Sequence, residues 1–232
     1  MDCAELLMQF GLTRQEAVIY MELVSNELMT GYEIAKHTGI SRSNTYSALT
    51  SLVEKGAAYI AEGTPAKYMA VDISEFCENK IAYLNGLKEE LENRIPKNRD
   101  DADGYITISG QRHIIDKIRQ MLTKAEYRVY FSASPDIIQM FKEQLEALIQ
   151  DEKKVVLLTD APYALDKAII YHNKRQPGQI GLIVDSEVVL TGEIGGSNSC
   201  LYSKKKNLVH LFKTSLKNEI KLIAVTERRL QS

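Results

Sequence analysis

Helix punctuation between residues 30 and 71 constrains this chain more than any other feature. Two helix starts and two helix stops follow one another in the run TGYEIAKHTGISRSNTYSALTSLVEKG. Thr30 is a helix cap, and Glu33 three residues on completes a capping box. That short helix buries Ile34 and Ala35 and stops at Gly39, a residue type that tolerates the left-handed conformation found at helix ends. Ser41 caps a second helix, with Tyr46, Leu49, Leu52 and Val53 at helical spacing, and Gly56 ends it. A β-hairpin then follows, with strands at 57–61 and 67–71 around a Gly63-Thr64-Pro65 turn.

Helix, tight turn, helix and hairpin in this order form the plan of a winged helix-turn-helix. In that plan the second helix lies in the major groove of duplex DNA, with its leading turns nearest the bases. Those turns carry Ser41, Arg42, Ser43, Asn44, Thr45 and Ser47. Arg can pair with guanine in two-pronged fashion and Asn with adenine, while Ser and Thr reach phosphates. The expectation is base reading by Arg42, Ser43 and Asn44, with Ser41, Tyr46 and Lys67 on phosphates. Tyr59 and Tyr68 on the hairpin are expected to face the core. The competing reading is a helical hairpin used only for packing, its polar residues facing solvent.

Charge weighs on that choice. Residues 1–72 hold five Lys/Arg against nine Asp/Glu, a net of −4, within a chain whose net charge is −2. Phosphate neutralisation normally supplies most duplex affinity. Between Lys36 and Val53, however, there is no carboxylate. A weak monomeric reader that depends on dimerisation fits both facts.

The chain of 232 residues, 44% apolar, suits two small domains or one domain and a long helix. Cys3, Cys77 and Cys200 show neither paired nor metal-ligand spacing and read as free thiols of a reducing cytosol. No metal or cofactor is expected. The N-terminus lacks a signal-peptide pattern and no apolar run is long enough to span a membrane, so a cytoplasmic protein without membrane contact is expected.

Residues 3–9 and 14–26 read as supporting helices. The first presents Ala4, Leu6, Leu7, Met8 and Phe10; the second opens with a Thr13–Glu16 capping box. A longer helix, 73–95, carries Ile73, Cys77, Ile81, Leu84, Leu87 and Leu91 at steps of three and four, interrupted by Asn85 and Gly86. This spacing predicts a coiled-coil homodimer seam; a single amphipathic helix packed on its own domain is the other reading. Pro96 ends the helix, and the polar stretch 96–104 marks a domain boundary. Beyond it, strands at 105–108, 127–131 and 154–159 alternate with helices at 110–122 and 137–149, which argues an α/β layer with a largely parallel sheet. A hairpin at 181–191 turns on Asp185-Ser186-Glu187. Leu201 and Tyr202 suggest an edge strand, and a helix at about 207–225 closes the chain. The domains expected are thus 1–72, 73–95 and 105–232.

On these residues the chain resembles the TrmB-type transcriptional regulators of archaea and bacteria, over nearly its full length. The resemblance is carried by GISRSNTYSALTSLVEKG at 39–56, GTPAKYMAV at 63–71 and the helix that follows. In the second half it rests on GLIVDSEVVLTG at 181–192 and LVHLFKTSL near the end. It implies a winged-helix reader, a coiled-coil dimer, and an α/β effector domain related in fold to half of a phospholipase-D-type unit. In better-known relatives, which are longer, the effector domain senses sugars through an additional segment that a chain of this length is expected to lack.

Phospholipase-D-type enzymes use a His nucleophile, a Lys two residues on and an Asp five residues after that. Here His172 and Lys174 are followed at that spacing by Gln179; anchoring on Asp185 instead puts Ile180 and Gly178 in the Lys and His positions. The two halves of the motif cannot be satisfied together, so catalysis is not expected. His172, Lys174, Asp185 and Ser197 remain as candidate effector contacts, for a sugar or an anionic metabolite. Each has a plainer reading: a solvated basic loop, a hairpin turn, and a Gly195-Gly196-Ser197-Asn198 loop. Lys204, Lys205 and Lys206 read as exposed charge. The sequence thus points to a dimeric operator-binding regulator. Its alternatives are an effector-free architectural protein or a degenerate phosphodiesterase.

Overall fold

A computed structural model describes residues 2–95, 104–174 and 176–230, the side chains of 227–230 excepted. The Pro96 helix stop and most of the 96–104 boundary lie outside the described residues. The chain divides into two units, Met1–Asn98 and Arg99–Ser232, each with its own core.

The first unit runs α1 (Cys3–Gln9), α2 (Arg14–Ser25), β1 (Met29–Thr30), α3 (Gly31–Thr38), α4 (Arg42–Glu54), β2 (Ala58–Ala61), β3 (Lys67–Ala70) and α5 (Ile73–Arg94). The capping boxes at Thr13–Glu16 and Thr30–Glu33 form with both arms, and Asp2–Glu5 makes a third. Gly39 ends α3 with φ +71°, a conformation costly for any residue with a Cβ. Ile19, Tyr20, Leu23, Ile34, Leu49 and Leu52 fill the core.

Several local expectations are corrected here. Leu6 and Met8 are exposed, so α1 contributes chiefly Ala4 and Leu7. On α4 the buried stripe is Thr45, Ala48, Leu49 and Leu52, while Tyr46 is half exposed. Thr45 can be buried because its hydroxyl donates to the Ser41 carbonyl at 3.1 Å. Tyr68 faces the core as expected, but Tyr59 is exposed and its hydroxyl donates to Glu75 at 2.9 Å. The hairpin is also wider than anticipated: β1 pairs antiparallel with β3, giving the order β1-β3-β2.

Of α5, only Phe76 is buried, against Tyr20 and Phe10 with ring centroids 5.9 and 6.4 Å away. Ile73, Ile81, Leu84, Leu87 and Leu91 are 36–54% exposed. An amphipathic helix packed along its own domain is therefore not what this unit forms.

The second unit runs β4 (Tyr105–Ser109), α6 (Gln111–Thr123), β5 (Arg128–Ser132), α7 (Pro135–Gln139), α8 (Lys142–Gln150), β6 (Lys154–Thr159), β7 (Ile169–His172), β8 (Gln179–Val184), β9 (Val188–Glu193), β10 (Ser199–Ser203) and α9 (Lys206–Leu230). Its sheet has the order β4-β10-β9-β8-β5-β6-β7. Only β5-β6 and β6-β7 pair in parallel; the other four pairs are antiparallel. The largely parallel sheet is thus corrected to a mixed one. The connections from β8 to β9 (185–187) and from β9 to β10 (194–198) are too short for a parallel crossover, so these pairs are antiparallel.

The helix anticipated at 137–149 is two helices, broken at Met140 and Phe141, and the buried Phe141 ring packs edge-on against Phe131. The strand around Leu201 and Tyr202 is internal; β4 forms that edge. One face of the sheet packs on α6, α7 and α8 through Ile118, Phe131, Phe141 and Leu145. The other face meets α9 through Ile183, Val189 and Val209. The result is an α/β sandwich following a helical, winged N-terminal unit. Among the described residues no helix is long and apolar enough to cross a membrane.

Candidate nucleic-acid interface

The N-terminus of α3 gathers side chains from distant parts of the first unit. Thr30 pairs with Lys67 across the β1-β3 ladder, which fixes the wing strand beside the start of α3. At Gly31 the Tyr46 ring lies so close that a Cβ would fall 2.5 Å from it. Tyr32 offers its ring to Arg42, whose guanidinium carbon stands 4.5 Å from the centroid. Three consecutive residues thus bring together Lys67, Tyr46 and Arg42.

Ser41, Arg42, Ser43 and Asn44 form the exposed leading turn of α4. The Ser41 hydroxyl accepts from the Asn44 backbone N–H at 3.4 Å, so part of its hydrogen-bonding capacity serves the cap. Ser43 and Asn44 point their side chains away from the core. Stacking on an exposed aromatic limits the rotamers open to Arg42, which lowers the entropy lost when it engages a planar acceptor. Tyr32 went unnoticed in the sequence because its partnership with Arg42 exists only once α3 and α4 cross.

The far end of α4 is anchored separately. Lys55 Nζ donates to Glu16 at 2.6 Å and to the Gly11 carbonyl at 3.0 Å. Burial works to raise the Glu16 carboxyl, but Lys55, Thr13 and Ser51 together hold it below the usual carboxylate value. One of the few cations of this unit is therefore used internally.

The four candidate effector contacts do not form one site. His172 and Lys174 lie at the C-terminal end of β7, and Ser197 sits in the β9–β10 loop at the same end of the sheet. Asp185 is in the β8–β9 turn, at the opposite end. Its carboxylate accepts from the backbone N–H groups of Glu126, Tyr127 and Arg128 at 2.7–2.8 Å. That arrangement latches the turn to the start of β5 and removes Asp185 from any site shared with the other three. Ser197 donates to Glu193 at 3.0 Å, and Asn198 closes the same loop through Gly195 and Gly196. His172 and Lys174 are exposed.

A winged helix with an exposed polar recognition turn, joined in one chain to an α/β sandwich, defines a class of two-part regulators. The chain belongs to the TrmB family: residues 6–74 match the model described as sugar-specific transcriptional regulator TrmB, and residues 104–218 match the N-terminal subdomain of the TrmB effector-binding region. It is 22% identical over 170 residues to the uncharacterized protein YrhO of Bacillus subtilis, covering 72% of this chain and 62% of that one. It is 23% identical over 145 residues to the HTH-type sugar sensing transcriptional regulator TrmBL1 of Pyrococcus furiosus, covering 60% of this chain and 42% of that one. The chain thus spans less than two thirds of the length of either curated relative. Among solved structures, TrmBL2, an archaeal chromatin protein, aligns over 94% of this chain and 96% of its own at 21% identity and a TM-score of 0.45. Nuc of Salmonella typhimurium, a phospholipase D family member, aligns over 50% of this chain and 93% of its own at 14% identity and a TM-score of 0.37.

Proposed function

We propose that this chain is a sequence-specific transcriptional regulator that binds operator DNA as a homodimer. Each protomer places α4 in a major groove, with Arg42, Ser43 and Asn44 on base edges and Ser41, Tyr46 and Lys67 on phosphates. The observation that carries this reading is the gathering of Arg42, Tyr46 and Lys67 around the start of α3, beside a carboxylate-free recognition turn. Dimerisation runs through the apolar stripe of 73–95, exposed in the single chain. The functional segments are 1–72 for reading, 73–95 for pairing and 105–232 for response.

The second unit responds to a small-molecule effector, a sugar or an anionic metabolite, contacted at the sheet end that carries His172, Lys174 and Ser197. It acts by favouring one spacing of the two readers over another. The mismatch between His172, Lys174 and Gln179 argues against hydrolysis, so the protein works as a regulator and not as an enzyme. Its place is the cytoplasm, with the genome.

Selection from a randomised duplex library, at moderate salt, tests the reading. The expected product is a motif with two half-sites, and Arg42→Ala should relax preference at one base position at a cost of about 1–3 kcal/mol. Retention of all sequences equally, or an unchanged motif in Arg42→Ala, contradicts the assignment.

A further inference from the structure

Lys213, Lys217 and Lys221 recur at every fourth residue of α9, so their side chains leave one flank of the helix about 6 Å apart along its axis. Across a groove of about 220 Å³ they face Lys154, which starts β6. Tyr130 and Tyr171 line the floor. No carboxylate lines this groove, and among the described residues none of the four ammonium groups forms an ion pair. Neither tyrosine hydroxyl bonds to another described residue. Like charges four residues apart disfavour a helix by a few tenths of a kcal/mol per pair, roughly. A bound anion would relieve that repulsion.

We propose that this groove binds a phosphorylated small molecule of the nucleoside diphosphate class. The phosphates lie along the lysine row, where one to three donors per ammonium meet them, and the flat base rests on the tyrosine floor. Two features favour a small ligand over a nucleic-acid backbone. The lysines border a concavity too narrow for a duplex to enter, and the aromatic rings lie inside it. None of His172, Lys174 and Ser197 lines this groove, although Tyr171 directly precedes His172 in β7.

Calorimetry and thermal melting on the full chain, with ADP, pyrophosphate and adenosine as probes, test the proposal. ADP should raise the Tm with concentration, pyrophosphate should do so more weakly, and adenosine should not. Lys217→Glu should lower ADP affinity roughly tenfold or more, since a charge-assisted contact becomes a repulsion. Lys142→Glu, on α8, should leave ADP affinity unchanged. Both positions are exposed, so the ligand-free Tm should move only slightly, up for Lys217→Glu as the lysine repulsion is relieved and down for Lys142→Glu as its pair with Glu146 is lost. Tyr171→Leu should weaken ADP but not pyrophosphate. The proposal is overturned by no ADP response at millimolar concentration, by a response that survives Lys217→Glu, or by pyrophosphate binding as tightly as ADP. Preference for a single-stranded oligonucleotide over ADP would also overturn it. None of these measurements involves operator DNA, so they succeed or fail apart from the reading of the first unit.

Discussion

Tyr20 shows how one side chain can join two elements and make their union depend on pH. It is 2% exposed, and its hydroxyl donates to the Val71 carbonyl at 2.8 Å, just ahead of α5. Burial, with Cys77 and Asp72 close by, pushes the phenol from its ordinary 10.0 up to about 12. In that window the unfolded chain ionises while the folded one stays protonated. The stabilisation is therefore fully present below pH 10 and lost as pH climbs toward 12, by roughly 3 kcal/mol. Tyr20→Phe should cost about 1 kcal/mol at neutral pH, by stranding the carbonyl, and should flatten the alkaline fall in stability. Denaturant melts across that range check it; an undiminished slope in the variant would assign the titration elsewhere. At this scale the sequence was legible wherever chemistry is local. The Thr13 and Thr30 capping boxes and Gly39 declared themselves, and so did the polar face of α4, while the Asp2–Glu5 box was not anticipated. Tyr32 and the role of Asp185 did not, because each depends on groups that only folding brings near. Asp185 read as a turn residue, and nothing in its neighbours announced three N–H donors from the start of β5.

At the scale of elements, periodicity identified most helices and strands but left their partners open. The alternation at 181–191 reads as a hairpin whether its neighbours run parallel or antiparallel, so it does not set the direction of the sheet. β1 is two residues long, below the reach of any pattern, yet it widens the wing. The α5 stripe is the reverse case, since its spacing was plain and the fold leaves it without cover in the single chain. Leu84→Asp, 51% exposed here, should leave the protomer's secondary structure intact and convert a dimer to a monomer in sedimentation equilibrium. Loss of paired half-site binding should then lower operator affinity about 100-fold or more. A variant that remains dimeric would place the interface elsewhere.

For the whole molecule, the proposed function turns on how few cations the first unit offers to DNA. Of the five cations in residues 1–72, Lys55 is committed to Glu16, and Arg42 and Lys67 are those gathered at the proposed face. At about 0.9 per phosphate, even counting Arg42 with Lys67, two such contacts from each of two protomers predict a log–log salt slope no steeper than about −4. Filter binding across a salt series measures it, and a much steeper slope would mean that further basic surface reaches the duplex. The join described at Phe76 has a mechanical consequence. Phe10, Tyr20 and Phe76 form an aromatic clamp, while Val71 and Glu75 are held by Tyr20 and Tyr59. The first turn of α5 is thus welded to the body that carries α4, and β1 ties the wing to that same body. Such a unit has no soft joint between handle and blade. On the proposed function, torque delivered along α5 would turn reader and wing together, which aims a rigid tool and does not reshape it.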